Sequence, residues 1–151
     1  MLQLSDRAPD FTLPDENGVP FTLTAQRGHS ILLVFYPGDN TPVCTRQLCE
    51  YRDEAEAFTG LGVRVVGISN DGSASHQKFK AKHRLPFTLL TDPDLLVAAK
   101  FDSKGMFGMK RSIFLIDADG RIRYLHIEKL ALFRRTSEEL IRAISALGNR
   151  A

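Results

Sequence analysis

The chain has 151 residues, 43% of them hydrophobic and 25% charged, with a formal net charge of +2. That is long enough to bury a core without covalent staples, and the basic residues are too scattered to form the phosphate-tracking stripe that nucleic-acid binding needs. Two cysteines close together in sequence are no disulfide framework, and no apolar run approaches the roughly 18 residues that span a membrane, so a soluble protein of a reducing, cytoplasmic compartment is expected.

Taken in order, the N-terminus MLQLSDRAPDF lacks the basic and long apolar regions of a secretory signal. Phe11 to Pro14 and Val19 to Leu23 flank DENG, whose Asn17-Gly18 step is a strong turn cue, and predict a hairpin ahead of the first core strand. Ile31 to Tyr36, ILLVFY, is short, branched and aromatic, the pattern of a strand buried on both faces. Pro37 and Gly38 stop it. Thr41 and Pro42 then supply a hydroxyl N-cap and a proline at the first helical position. The helix therefore opens on a thiol.

On that register Cys44 is the third helical residue, where unpaired backbone N–H groups and the positive end of the helix dipole favour an anion. Leu48, Tyr51, Ala55 and Phe58 follow it at helical spacing, which puts the sulfur at the core-side edge. Cys49 falls about 140° further round the helix, and the two alpha carbons of an ideal helix lie about 8.7 Å apart, beyond what a disulfide tolerates. The pair is thus either an accident or a switch, in which oxidation of Cys44 is followed by unwinding that delivers Cys49.

Gly60-Leu61-Gly62 marks a stop, and Val63 to Ser69, VRVVGIS, is the next buried strand, parallel to the first by the handedness of β-α-β units. Ser73 to about His83 is predicted helical, with weak periodicity around Phe79, and Phe87 to Leu90 extended. Asp92-Pro93 predicts an N-cap and a helix to about Phe101, followed by the glycine-bearing loop DSKGMFGMK. Ser112 to Ile116, a turn at Asp119-Gly120 and Arg121 to Ile127 form an antiparallel pair. Thr136 with Glu139 matches a capping box ahead of the stripe Leu140, Ile141, Ile144 and Leu147. The four histidines, His29, His76, His83 and His126, show no ligand spacing and read as surface or loop residues. Cofactor and metal motifs such as G-x-G-x-x-G, a Walker loop, H-E-x-x-H and C-x2-C are lacking, so no cofactor is expected. The order predicts one α/β domain over residues 1–151, with a mixed central sheet flanked by helices; by itself it does not separate a thioredoxin-like from a flavodoxin-like sheet.

Pro37, Thr41 and Cys44 stand in a P-x3-T-x2-C arrangement that resembles the peroxiredoxins, and a second cysteine five residues on is similar to their bacterioferritin-comigratory, or peroxiredoxin Q, branch. APDFTLPDENG, LLVFYPGDNTP, CEYRD, VVGISND, FTLLTD and KRSIFLIDADG occur in the order of that branch, so the resemblance covers nearly the whole chain. It implies a thioredoxin-like fold and a thiol peroxidase acting on hydrogen peroxide or organic hydroperoxides. Cys44 would be the peroxidatic nucleophile and Cys49 the resolving thiol, with thioredoxin or a similar dithiol as reductant.

The resemblance also implies the rest of the site. An ordinary thiol is only about 3% thiolate at pH 7, and acidifying it weakens it as a nucleophile, so rate must come largely from positioning and polarising the O–O bond. Thr41 would turn its hydroxyl towards sulfur and peroxide, Arg111 would offer several coplanar donors, and Pro37 would wall the pocket. Arg111 should outrank Lys110, which alternates to the other face. Val43 departs from a common glycine and Gln47 from a frequent glutamate. A monomer is expected. The rival readings are a general thiol-disulfide oxidoreductase, which usually carries C-x2-C, and a metal-binding chaperone using both cysteines and a histidine.

Overall fold

The computed structural model describes residues 1–106, 108–128 and 134–148. Strands β1 (Thr12–Pro14) and β2 (Pro20–Thr22) form the N-terminal hairpin, with Gly18 at φ 78, a left-handed value that suits a residue without a Cβ. The chain then enters β3 (Ser30–Phe35), helices α1 (Pro42–Asp53) and α2 (Ala55–Gly60), β4 (Val63–Ser69), α3 (Ser73–His83) and β5 (Thr88–Thr91). After α4 (Leu96–Lys100) come the two-residue strands β6 (Lys104–Gly105) and β7 (Gly108–Met109), then β8 (Ser112–Ile116), β9 (Ile122–Ile127) and α5 (Ser137–Gly148).

The central sheet has the order β5-β4-β3-β8-β9. β3, β4 and β5 run parallel, whereas β8 is antiparallel to both β3 and β9, which makes the sheet mixed as predicted. Strand alternation sorts the core into two layers. Ile31, Leu33 and Phe35 face a layer completed by Phe11, Leu13, Ala98, Phe101 and Phe114, against the hairpin and α4. Leu32, Val34 and Tyr36 face Cys44, Leu48, Tyr51, Phe58, Phe79 and Leu140, contributed by α1, α2, α3 and α5. The cysteine helix therefore packs on the same side as α2, α3 and α5.

Three local expectations are corrected. Thr41 occupies the N-cap position of α1, but its hydroxyl does not cap the helix; it donates to the carbonyl of Gly38 at 3.0 Å. Asp92 does not start a helix directly. Leu95 adopts a left-handed backbone, so α4 begins at Leu96, and the Asp92 carboxylate reaches forward to accept from the N–H groups of Val97 (3.3 Å) and Ala98 (2.8 Å). His76 is no surface residue: it is fully buried within α3. The loop 102–110 contains the small hairpin of β6 and β7, with Phe107 outside the described residues.

The capping box of α5 forms as read, with Glu139 N–H donating to Thr136 Oγ1 and Thr136 N–H to Glu139 Oε1, both at 3.2 Å. Among the described residues no helix is long and apolar enough to cross a membrane.

Candidate active site

The sheet itself brings the candidate residues together. α1 leaves the carboxyl end of β3, and antiparallel pairing of Phe35 with Ser112 sets the start of β8 beside that same end. Arg111, one residue before β8, thus arrives next to the first turns of α1 although 67 positions separate it from Cys44 in the numbering. Lys110 is exposed while Arg111 is only 3% exposed, as strand alternation requires.

Cys44 is 0% exposed and free, on the buried face of α1 with Gln47, Leu48 and Tyr51. It is the third residue of the helix. The first bond within α1 runs from Thr45 N–H to Thr41 O (2.8 Å), and no side chain caps the start. The N–H groups of Val43 and Cys44 therefore precede the helical ladder, with the positive end of the dipole behind them. Pro37 is half-buried at the mouth of the turn, and Thr41 is exposed beside it.

Gln47 holds Arg111. The guanidinium donates from Nη1 to Gln47 Oε1 at 2.7 Å, Gln47 Nε2 donates to Tyr51 Oη at 3.0 Å, and Tyr51 Oη donates to the Arg135 carbonyl at 2.6 Å. A neutral amide at this position thus still accepts from the arginine, and its other end reaches one turn further along α1. Burial pushes the Tyr51 phenol up, which keeps its proton available to the Arg135 carbonyl. The sequence reading missed Tyr51 as a site-linked residue; its signal was the shared helical face with Cys44 and Gln47.

Cys49 is free and half-buried, outside the apolar layer that holds Cys44. The α1 segment around it is tied down at three further points: Glu50 pairs with Arg134, Tyr51 bonds the Arg135 carbonyl, and Arg52 Nη1 donates to the His83 carbonyl at 2.7 Å. Among the described residues no group of three or more histidine, cysteine or acidic side chains could hold a metal ion.

Residues 4–125 match the model of the AhpC/TSA family. The chain is 40% identical over 129 residues to Peroxiredoxin Bcp of Bacillus subtilis, covering 80% of this chain and 82% of that protein. It is 43% identical over 122 residues to the chloroplastic Peroxiredoxin Q of Arabidopsis thaliana, covering 79% of this chain but only 56% of that longer protein. Among solved structures, the bacterioferritin comigratory protein of Xanthomonas campestris, described for its alkyl peroxide reduction activity, superimposes with a TM-score of 0.85 at 26% identity over 98% of both chains.

Proposed function

The chain belongs to the AhpC/TSA family, on its Bcp and peroxiredoxin Q side, and from that membership we propose a specific cycle for a thiol-dependent peroxidase built as a single domain. The Cys44 thiolate attacks one peroxide oxygen. The O–O bond breaks, the departing alkoxide or hydroxide takes up a proton to leave as alcohol or water, and Cys44 becomes a sulfenic acid. The Cys49 thiolate then attacks the Cys44 sulfur, the S–O bond breaks, and water leaves as the disulfide forms. Two electrons and two protons from an external dithiol, thioredoxin or its like, restore both thiols.

The observation that carries this reading is a free, fully buried cysteine in the first turn of α1 on the same face as a glutamine that holds the buried Arg111. Thr41 donates its proton to Gly38 O, so its oxygen keeps lone pairs to accept from the peroxide O–H. Arg111 and the N–H groups of Val43 and Cys44 supply donors for the oxygen on which charge develops. Pro37 limits water. Organic hydroperoxides as well as hydrogen peroxide fall within this reading, supported by the Xanthomonas relative. A cytoplasmic monomer completes it, since thiols oxidised in every turnover need a dithiol pool at hand.

Cys44→Ser tests the assignment. It should abolish thioredoxin-coupled peroxide consumption, and appreciable residual turnover would overturn the role of Cys44.

A further inference from the structure

The turn between β3 and α1 is gripped by a buried polar network whose members make no contact with the reacting sulfur in the scheme above. Asp39 is its centre. Its Oδ1 accepts from Tyr36 Oη at 2.6 Å, and its Oδ2 accepts from Ser75 Oγ and His76 Nδ1, each at 2.8 Å. Its backbone N–H donates to Asp71 Oδ2 at 2.7 Å, and that oxygen also accepts from Ser69 Oγ at 2.7 Å. The other nitrogen of His76, Nε2, lies 3.1 Å from the carbonyl oxygen of Leu90.

Burial pushes the Asp39 carboxyl up, but the bonds from His76 and Tyr36 outweigh it and hold the group below its ordinary 3.8. The side chains of His76 and Asp39 meet at 2.8 Å with 0% exposure. Tyr36 packs closely on β4: a Cβ on Gly67 would come within 3.1 Å of its ring, so glycine there leaves the ring room.

We propose that His76 and Asp39 are a positioning pair for peroxide reduction, fixing the turn Gly38–Thr41 against β5 and α3 so that Thr41 and the following N–H groups stay aimed at the peroxide. This rests on the peroxidase reading given above. Asp39 stands two residues before Thr41, and the Thr41 hydroxyl is bonded to Gly38, so displacement of Asp39 is carried directly to Thr41. Asn40 between them holds φ 62, a left-handed backbone that asparagine adopts readily and that turns the chain from Asp39 towards Thr41. The side-chain and carbonyl partners of Asp39 and His76 lie on the ends of β3 and β5, on α3 and at Asp71, and not on α1. The turn is thus the stationary side of the hinge when α1 unwinds.

The test compares two rates in the full chain, wild type against His76→Gln and Asp39→Asn. One is the second-order oxidation of Cys44 by hydrogen peroxide. The other is alkylation of Cys44 by iodoacetamide, followed by peptide-resolved mass spectrometry, which senses the thiolate but not peroxide positioning. Each single variant should slow oxidation by about 10- to 100-fold while alkylation changes by less than about threefold. The double variant, whose two amides bond each other without a buried charge, should regain part of the lost oxidation rate. Folded variants that oxidise at the wild-type rate would overturn the proposal, as would an equal loss in both rates. If a single variant does not fold, Tyr36→Phe removes one donor to Asp39 without stranding a charge and must show the same selective loss. Wild type that fails to react with peroxide would sink the peroxidase reading, whereas a reactive wild type matched by its variants would overturn the positioning role alone.

Discussion

Arg111 donates to Gln47 across 2.7 Å, and this bond joins a residue at the edge of the sheet to the helix that carries both cysteines. Disulfide formation requires α1 to unwind, because an ideal helix holds alpha carbons at this spacing about 8.7 Å apart. In the proposed cycle that unwinding would part Gln47 from Arg111, so this bond belongs to the wound, reduced helix.

Gln47 can be tested directly. Gln47→Ala removes one acceptor of the guanidinium and should slow Cys44 oxidation by about tenfold or more, since small misplacements near the reacting atoms have effects of that order. Gln47→Glu still accepts from Arg111 and should stay within about threefold of wild type. The chain has no tryptophan, so competition with a chromogenic heme peroxidase is the suitable assay.

Tyr51→Phe cuts the link between α1 and the segment before α5. It leaves the Arg135 carbonyl and one Gln47 donor without their partner, a loss of about 1–3 kcal/mol of stability measurable by urea unfolding. The same change loosens the wound helix, so disulfide formation after oxidation should become faster. An unchanged or slower second step would remove Tyr51 from the unwinding path.

Cys49→Ser should leave the first oxidation rate within about twofold of wild type, because Cys49 lies outside the layer around Cys44. It should trap the sulfenic acid, seen by reaction with dimedone, and end thioredoxin-coupled turnover. Undiminished turnover would make Cys49 a bystander.

Acid should act on the Asp39 network in a defined window. The folded carboxyl lies below its ordinary value of 3.8, so its contribution to stability is fully present above that value and is lost as pH falls through the lower folded one. Asp39→Asn gives the buried groups of Tyr36, Ser75 and His76 a weaker partner and should lose about 1–3 kcal/mol at neutral pH. The gap between wild type and variant should hold from neutral pH to about pH 4 and narrow below it; urea unfolding across that range measures it.

Much of this was legible in the sequence because local rules and burial agreed. Val63–Ser69 and Ser112–Ile116 appear as read, and Thr41-Pro42 set the register that puts Cys44 at the third helical position. The failures occur where tertiary bonds override a local rule. Thr41 gives its hydroxyl to Gly38 rather than to its own helix, and Asp92 caps α4 from a distance because Leu95 takes a left-handed turn. His76 was misjudged because α3 is almost wholly polar in sequence, so its buried face shows only in the spacing of His76 and Phe79. The arrival of Arg111 at the helix that carries Cys44 could not be derived from local pattern; it follows from the pairing of β3 with β8 and was expected only through family resemblance.

The most direct measurement is a single turnover of fully reduced protein with one equivalent of hydrogen peroxide, followed by intact mass and free-thiol count. The account predicts a loss of about two mass units with both thiols gone, the signature of a Cys44–Cys49 disulfide and of a helix that has unwound to form it. A gain of about sixteen mass units with one thiol remaining would contradict it and place resolution on an external thiol.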